Sequence, residues 1–227
     1  MKMTMMNLFE TFDPSINNNI QLNWIYAITP IIMFPNLFWL TNSRITMLFK
    51  LLIKFLFNEF KIIMSIKYII NINLFLSIMI YILLLNLFSL IPYIFTSTSH
   101  LLFNLSMSFS LWLAFLIYSI FNFPTKTLSH LVPLNSPKYL MNFMVLIELV
   151  SIIIRPWTLS IRLSANLISG HLILILLNNF LMNFMYILPF ALIIQNIMMI
   201  LELAMAFIQS YVFSILLTLY FSESLEE

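Results

Sequence analysis

Cysteine is absent from this chain, so it forms no disulfide, no thiolate metal site and no covalent haem attachment of its own. Glycine occurs once, at Gly170. That removes every Gly-rich phosphate loop, since the Walker and dinucleotide fingerprints each need more than one glycine, and no nucleotide is expected on this chain. Charge is scarce as well: Asp, Glu, Lys and Arg make up 8% of the residues, against ~25% in an average soluble protein. So few charges could not cover the water-facing surface of a 227-residue domain. The net charge of +2 is too small to recruit nucleic acid. No cofactor and no metal is called for by anything in the residue usage.

What is present is apolar: 62% of the chain, which makes it an all-α integral membrane protein. Phe, Met, Asn, Ile and Leu are abundant while Gly, Ala and Arg are scarce, a bias resembling an AT-rich organellar genome. The bias accounts for sixteen methionines as lipid-facing filler without a metal-binding role. The N-terminus carries one base, Lys2, and soon meets Glu10 and Asp13. It is not an Arg-rich, acid-poor transit peptide, which fits synthesis inside the organelle.

Charge spacing divides the chain. No formal charge occurs between Asp13 and Arg44 or between Lys67 and Lys126. The first gap holds one span, residues 22–40, with Pro30 and Pro35 expected to kink it. The second holds two, residues 69–91 and 101–121, separated by a turn of proline and small hydroxyls at 92–99. Between the first two spans, Ser43 is placed to cap a helix over 44–67. Lys50, Lys54, Asn58 and Lys61 share one face of it and Leu, Ile and Phe fill the other, the pattern of an amphipathic helix lying on the membrane surface.

Residues 138–179, as one helix, would run ~60 Å at ~1.5 Å per residue, about twice the hydrocarbon thickness. Residues 184–221 are also too long for an upright span. Both are expected to tilt strongly or bend, with Pro156 and Pro189 as bend sites and the turn following Asn178 and Asn179. The expected architecture is about five membrane-embedded helices plus the surface helix. Residues 1–138 form a scaffold and 139–223 a tilted hairpin. Basic residues cluster in 44–67 and in the loop carrying Lys126 and Lys138, which puts both loops and the C-terminus inside and the N-terminus outside.

Every charge within the expected spans lies in the hairpin: Glu148, Arg155, Arg162 and Glu202, with His171 beside them. A guanidinium at the bilayer centre costs ~2.5–3.5 kcal/mol on insertion scales, and arginine cannot shed its proton. At ~100° per residue, Glu148, Arg155 and Arg162 form one stripe, with Asn166 on the same azimuth as Glu148. On the last helix Gln195, Glu202, Gln209 and Glu223 form another. Chain direction sorts them by depth: His171 and Glu202 on the outer side, Arg162 central, Glu148 and Glu223 on the inner side. Acids, imidazole and amides at intermediate depth are proton-relay chemistry.

Duller roles remain open for each residue. Arg162 could pair with a carboxylate or reach the interface, Glu148 could pair with Arg155, and His171 could pack helices. Glu223 could be a solvated tail acid, Asn166 and Gln209 could tie helices together, and Gly170 could allow close helix approach.

The run Arg162-Leu163-Ser164-Ala165-Asn166-Leu167-Ile168-Ser169-Gly170-His171, followed by Glu202 and Ile208-Gln209-Ser210-Tyr211-Val212-Phe213, resembles subunit a of the rotary (F-type) ATP synthase. The mitochondrial form is the most similar, and the opening Asn7-Leu8-Phe9-Glu10-Thr11-Phe12-Asp13-Pro14 looks like the arthropod version. The resemblance implies that Arg162 is the essential arginine, facing a rotor ring of c-subunits against which the last two helices lie. It implies that Asn166, His171, Glu202 and Gln209 line an outer half-channel, and Glu148 and Glu223 an inner one. It implies partners in the c-ring, the peripheral stalk and other membrane subunits, with lipids around them and protons as cargo. The location implied is the mitochondrial inner membrane, N-terminus toward the intermembrane space and C-terminus toward the matrix. The chain would be non-catalytic by itself. Arg155 stands where the family carries Arg or Gln, Ser169 replaces a usual alanine, and Trp157 sits where smaller residues are common.

Two rivals make different demands. A haem-holding subunit of another respiratory complex needs paired axial ligands, and His100, His130 and His171 supply no two-helix pair at matching depth. A self-contained ion transporter should show internal repeats, whereas the buried charges here sit at one end.

Overall fold

The computed structural model describes residues 9–15, 21–33, 41, 43–64, 68–91, 94–122, 124–132, 139–183, 186 and 188–226. Expectations resting on Pro35 and the end of the first span, on Lys67, Pro92 and Lys138, on the 184–185 turn and on the first residues of the opening motif lie outside them.

A 3₁₀ turn at Leu22–Ala27 leads into α1, Thr29–Met33. Pro30 is in the first turn of α1, where its missing N–H has no helical partner to lose, so it starts a helix and does not kink one. Tyr81 donates from its hydroxyl to the Ala27 carbonyl at 3.0 Å and ties this segment to α3.

α2 spans Arg44–Ile63, and Ser43 caps it, accepting from the Thr46 N–H at 3.3 Å. Lys50, Lys54, Asn58 and Lys61 are all exposed on it, while Phe60 is buried. Ile53, Leu56 and Phe57 lean on the core, whereas Leu48, Leu51, Leu52 and Phe55 stay exposed, as an apolar flank covered by lipid would.

α3 (Ile69–Ser89) and α4 (Leu101–Asn122) are followed by the short α5 (Pro124–His130), then α6 (Met141–Asn183) and α7 (Leu188–Glu226). Among the described residues four helices are long and apolar enough to cross a membrane: α3, α4, Met141–Leu181 of α6 and Pro189–Glu223 of α7. With 43 and 39 residues, α6 and α7 are roughly twice as long as a ~30 Å hydrocarbon core needs at ~1.5 Å per residue, so both must slant through it. Pro156 lies inside α6, which continues through it. Ser108 of α4 donates to the Pro156 carbonyl at 3.2 Å, stitching the two helices together. Pro189 is the second residue of α7, so it begins that helix where a bend was expected.

α3 packs along α7 and α4 along α6. Ile72, Phe75, Leu76, Met79 and Ile82 of α3 form one buried cluster with Leu159 and Leu163 of α6 and Phe213, Leu217 and Phe221 of α7. Phe221 sits among the rings of Tyr68, Phe75 and Phe115, with centroids 5.9, 5.7 and 5.1 Å away. This aromatic knot fixes the C-terminal end of α7. Small hydroxyl residues are buried on both long helices: Ser160 and Ser164 on α6, Ser210, Ser214 and Thr218 on α7. Each returns its hydroxyl to a carbonyl of its own helix, leaving a thin surface that neighbours can approach closely.

The segment expected as a plain turn is a buried plug. Thr96, Ser97, Thr98 and Ser99 are all buried, and Ser97–Ser99 form a 3₁₀ turn packed against α3 and α6. Asn104 donates to the Thr98 carbonyl at 2.7 Å. Trp24 covers it, with its ring 5.6 Å from Phe95 and 5.2 Å from His100.

Candidate functional site

The long helices run antiparallel, and their cross-contacts form a ladder. Arg155 of α6 meets Glu223 of α7, Asn166 meets Gln209, and Gly170 meets Glu202. Because the two helices run antiparallel, positions descending one match positions ascending the other. The ladder brings residues from two distant stretches of sequence to common depths.

One end of the ladder opens into a cavity of about 160 Å³. Asn166, Gly170 and His171 of α6, Glu202 and Gln209 of α7, and Asn86 of α3 line it. That is room for on the order of five waters at ~30 Å³ each. Asn166 donates from Nδ2 to Oε1 of Gln209 at 2.9 Å, so the two amides close part of the wall. His171 Nε2 and Glu202 Oε2 are both buried and, among the described residues, have no hydrogen-bond partner. Both atoms belong to residues on the lining of a polar cavity that has room for water. Sequence reasoning matched His171 to Glu202 by depth. The structure puts both on one cavity, with no ion pair between them among the described residues. The His171 ring is met edge-on by Phe12, centroids 6.4 Å apart, so the N-terminal segment folds back over this end.

Asn86 was not among the residues singled out from sequence. It is 1% exposed, it lines the cavity from α3, and neither amide atom finds a partner among the described residues. A scaffold helix thus contributes to the polar site. The available signal was an amide in a span otherwise free of charge, too common a feature in membrane helices to stand out.

Arg162 is placed differently. It is exposed, lies outside the cavity lining, and no hydrogen bond or ion pair holds it among the described residues. Ile154, Thr158, Ile161, Ala165 and Ser169 are exposed with it at helical spacing, forming one outward face of α6. Leu159 and Leu163 point the other way, into the core. The neighbouring face of α7 exposes Leu201, Met205 and Ile208.

At the far end of the ladder, Arg155 Nη1 lies 2.6 Å from Glu223 Oε2, and the Arg155 guanidinium also sits over the Tyr220 ring at 5.1 Å. Glu223 is therefore paired with Arg155 across the two helices. Glu148 is half-buried two turns before Arg155 on α6, and the alternative in which it pairs with Arg155 gives way to this cross-helix bond. Among the described residues no group of three His, Asp or Glu side chains could hold a metal ion.

Residues 20–222 match the family described as ATP synthase A chain. An ATP synthase subunit a from Apis mellifera ligustica is 63% identical over 220 residues, covering 97% of each chain. One from Locusta migratoria is 46% identical over 222 residues, and one from Drosophila melanogaster 45% over 221; each match covers 96% of this chain and 99% of the relative.

Proposed function

The chain belongs to the ATP synthase A chain family, a proton-channel subunit of the membrane sector, and on that premise we propose that its ladder of polar groups forms two offset half-channels serving a rotor. Protons enter from the outer side into the cavity of His171, Glu202, Asn166, Gln209 and Asn86. They pass to an ionised acid on a c-subunit and leave, after rotation, past Glu148 and Glu223. Arg162 stands between. Along α6 it is nine residues from His171, ~14 Å at ~1.5 Å per residue, and ~10 Å from Arg155.

The observation that carries this reading is the contrast around Arg162. The cavity holds a carboxyl and an imidazole whose buried atoms have no partner among the described residues, while the arginine faces outward on an apolar surface, also without a partner among them. Such a cation needs a counter-charge from outside, and a rotor carboxylate supplies one. Its positive charge keeps the passing acid ionised and blocks direct proton flow between the two paths. The membrane potential adds ~2.3 kcal/mol per charge per 100 mV to the driving force. The product of this subunit is torque, and it performs no bond chemistry of its own.

In this assignment the chain sits in the mitochondrial inner membrane with its N-terminus toward the intermembrane space and its C-terminus and α2 at the matrix side. The c-ring covers the exposed α6 and α7 faces. The peripheral stalk, other membrane subunits and lipid cover the scaffold of residues 1–138. The test is a crosslink. A cysteine at Ile161 or Ala165 is expected to bond to one placed beside the acid of the rotor helix in the assembled enzyme. Crosslinking confined to the opposite face of α6, near Leu159, would overturn the orientation. An impermeant label is expected to reach residues near Lys54 from the matrix side only; labelling from the intermembrane space in intact mitochondria would reverse the topology.

A further inference from the structure

Gly170 is the single glycine among 227 residues, and it lies well inside α6, where glycine is a poor helix former. The usual reason for such a residue is the close approach of a neighbouring helix backbone. A different group occupies the space here. A methyl group added at Gly170 would meet, as its three nearest atoms, Oε1 of Glu202 at 2.7 Å and Cδ and Cγ of Glu202 at 3.0 Å each. All three belong to one side chain and none is backbone.

We propose that Gly170 is a positioning residue: the missing side chain leaves a notch in α6 that seats the carboxyl end of Glu202 against the cavity wall. The proposal rests on the reading of Glu202 as part of the proton path. The notch explains how an acid whose buried Oε2 has no hydrogen-bond partner among the described residues is held in place. Contact with α6 locates it, and among the described residues no hydrogen bond holds Oε2, so that oxygen can take up and release a proton without breaking a structural bond there. The notch also lies one residue before His171, which fixes the carboxyl on the same cavity as the imidazole. A side chain at position 170 would displace the flexible tip of Glu202 and leave the helix in place, since alanine is the better helix former. Function and folding therefore separate at this position.

The experiment uses the assembled ATP synthase in sealed vesicles, with ATP-driven proton pumping as the readout and the amount of assembled complex as the control. Gly170→Ala is expected to assemble normally and to pump ~10- to 100-fold more slowly, the scale of a ~1 Å misplacement of a reacting group. Glu202→Asp alone is expected to be impaired as well, because the shorter acid no longer reaches its seat. Combined with Gly170→Ala, the shorter acid clears the new methyl group, and the double variant is expected to pump faster than Gly170→Ala alone. Normal pumping by Gly170→Ala, while Glu202→Gln is defective, would overturn the seat and leave Glu202 in the path. A Gly170→Ala defect that Glu202→Asp does not relieve would also overturn it, returning the glycine to a packing role. Normal pumping by Glu202→Gln would instead remove the reading on which the proposal rests.

Discussion

The two ends of the α6–α7 ladder treat their carboxyl groups in opposite ways. At one end Glu202 and His171, both half-buried, line one cavity, and each has a buried polar atom with no hydrogen-bond partner among the described residues. At the other end Glu223 is half-exposed and bonded at 2.6 Å to Arg155, which also rests on Tyr220. The ion pair ties Glu223 to α6. In the proposed path, an acid on a small polar cavity is open to a proton donor or acceptor, which suits a group that must cycle. On the proposed path, the cavity end would carry proton traffic, while the ion pair at the other end links the two helices.

The largest expected effect separates the two arginines. Arg162→Gln is expected to abolish coupled ATP synthesis, with a fall of ~100-fold or more, because a fixed charge aimed at a reacting group is worth that much when removed. Arg162→Lys should rescue poorly, since lysine lacks the planar fork of donors and can lose its proton when desolvated. Arg155→Gln should stay within roughly two-fold of normal, as expected for losing a partly exposed pair worth about 0–1 kcal/mol. ATP synthesis and passive proton leak in membranes carrying each variant measure this. A severe Arg155→Gln beside a mild Arg162→Gln would invert the comparison.

Next in size is the contrast between the acids. Glu202→Leu is expected to lower ATP-driven pumping by ~100-fold, the scale of losing a positioned proton-transfer group. Exchanging His171 and Glu202 should retain more activity than Glu202→Leu. Glu223→Gln should cost only a few-fold, because the amide still accepts a hydrogen bond from Arg155. Equal losses at the two acids would erase the distinction between free and bonded ends.

A smaller effect sharpens the boundary of the cavity. Asn166→Leu and Gln209→Leu each remove one partner of the 2.9 Å amide bond. Each is expected to cost about 1 kcal/mol of stability, and the double variant less than the sum, since the second change removes a group already unpaired. A double-mutant cycle on the thermal stability of the assembled complex reads the coupling. Strict additivity would mean that the two amides act independently.

The smallest effect lies outside the ladder. Ser43→Ala removes the cap of α2 and should cost ~1 kcal/mol locally, with faster amide exchange in its first turn and unchanged pumping. A pumping defect there would tie the surface helix to the proton path.

Much of this was legible in the residues themselves. Scarcity of charge together with long apolar runs dictates a helical membrane protein, because backbone groups in lipid must bond within their own segment. The Ser43 cap and the lysine face of α2 follow from local spacing, and so do the two helices too long to stand upright. Chain direction also ordered Asn166, His171, Glu202 and Gln209 along the two helices, and the structure brings these four onto one cavity. Local rules could not decide which of these touch. The bond of Arg155 to Glu223 crosses 68 positions, and its register depends on how the hairpin closes and on Phe221 docking among the rings of α3 and α4. Asn86 became part of the site only when α3 packed beside the hairpin, since an isolated amide in an apolar helix carries no sign of what it will face. Gly170 was visible as the lone glycine, but that its empty space holds the end of Glu202 depends on a side chain 32 positions away. Composition and periodicity set the solvent, the secondary structure and the depth of each group. Contact between groups of equal depth is a property of helix register and rotation, and these are set only when the whole bundle packs.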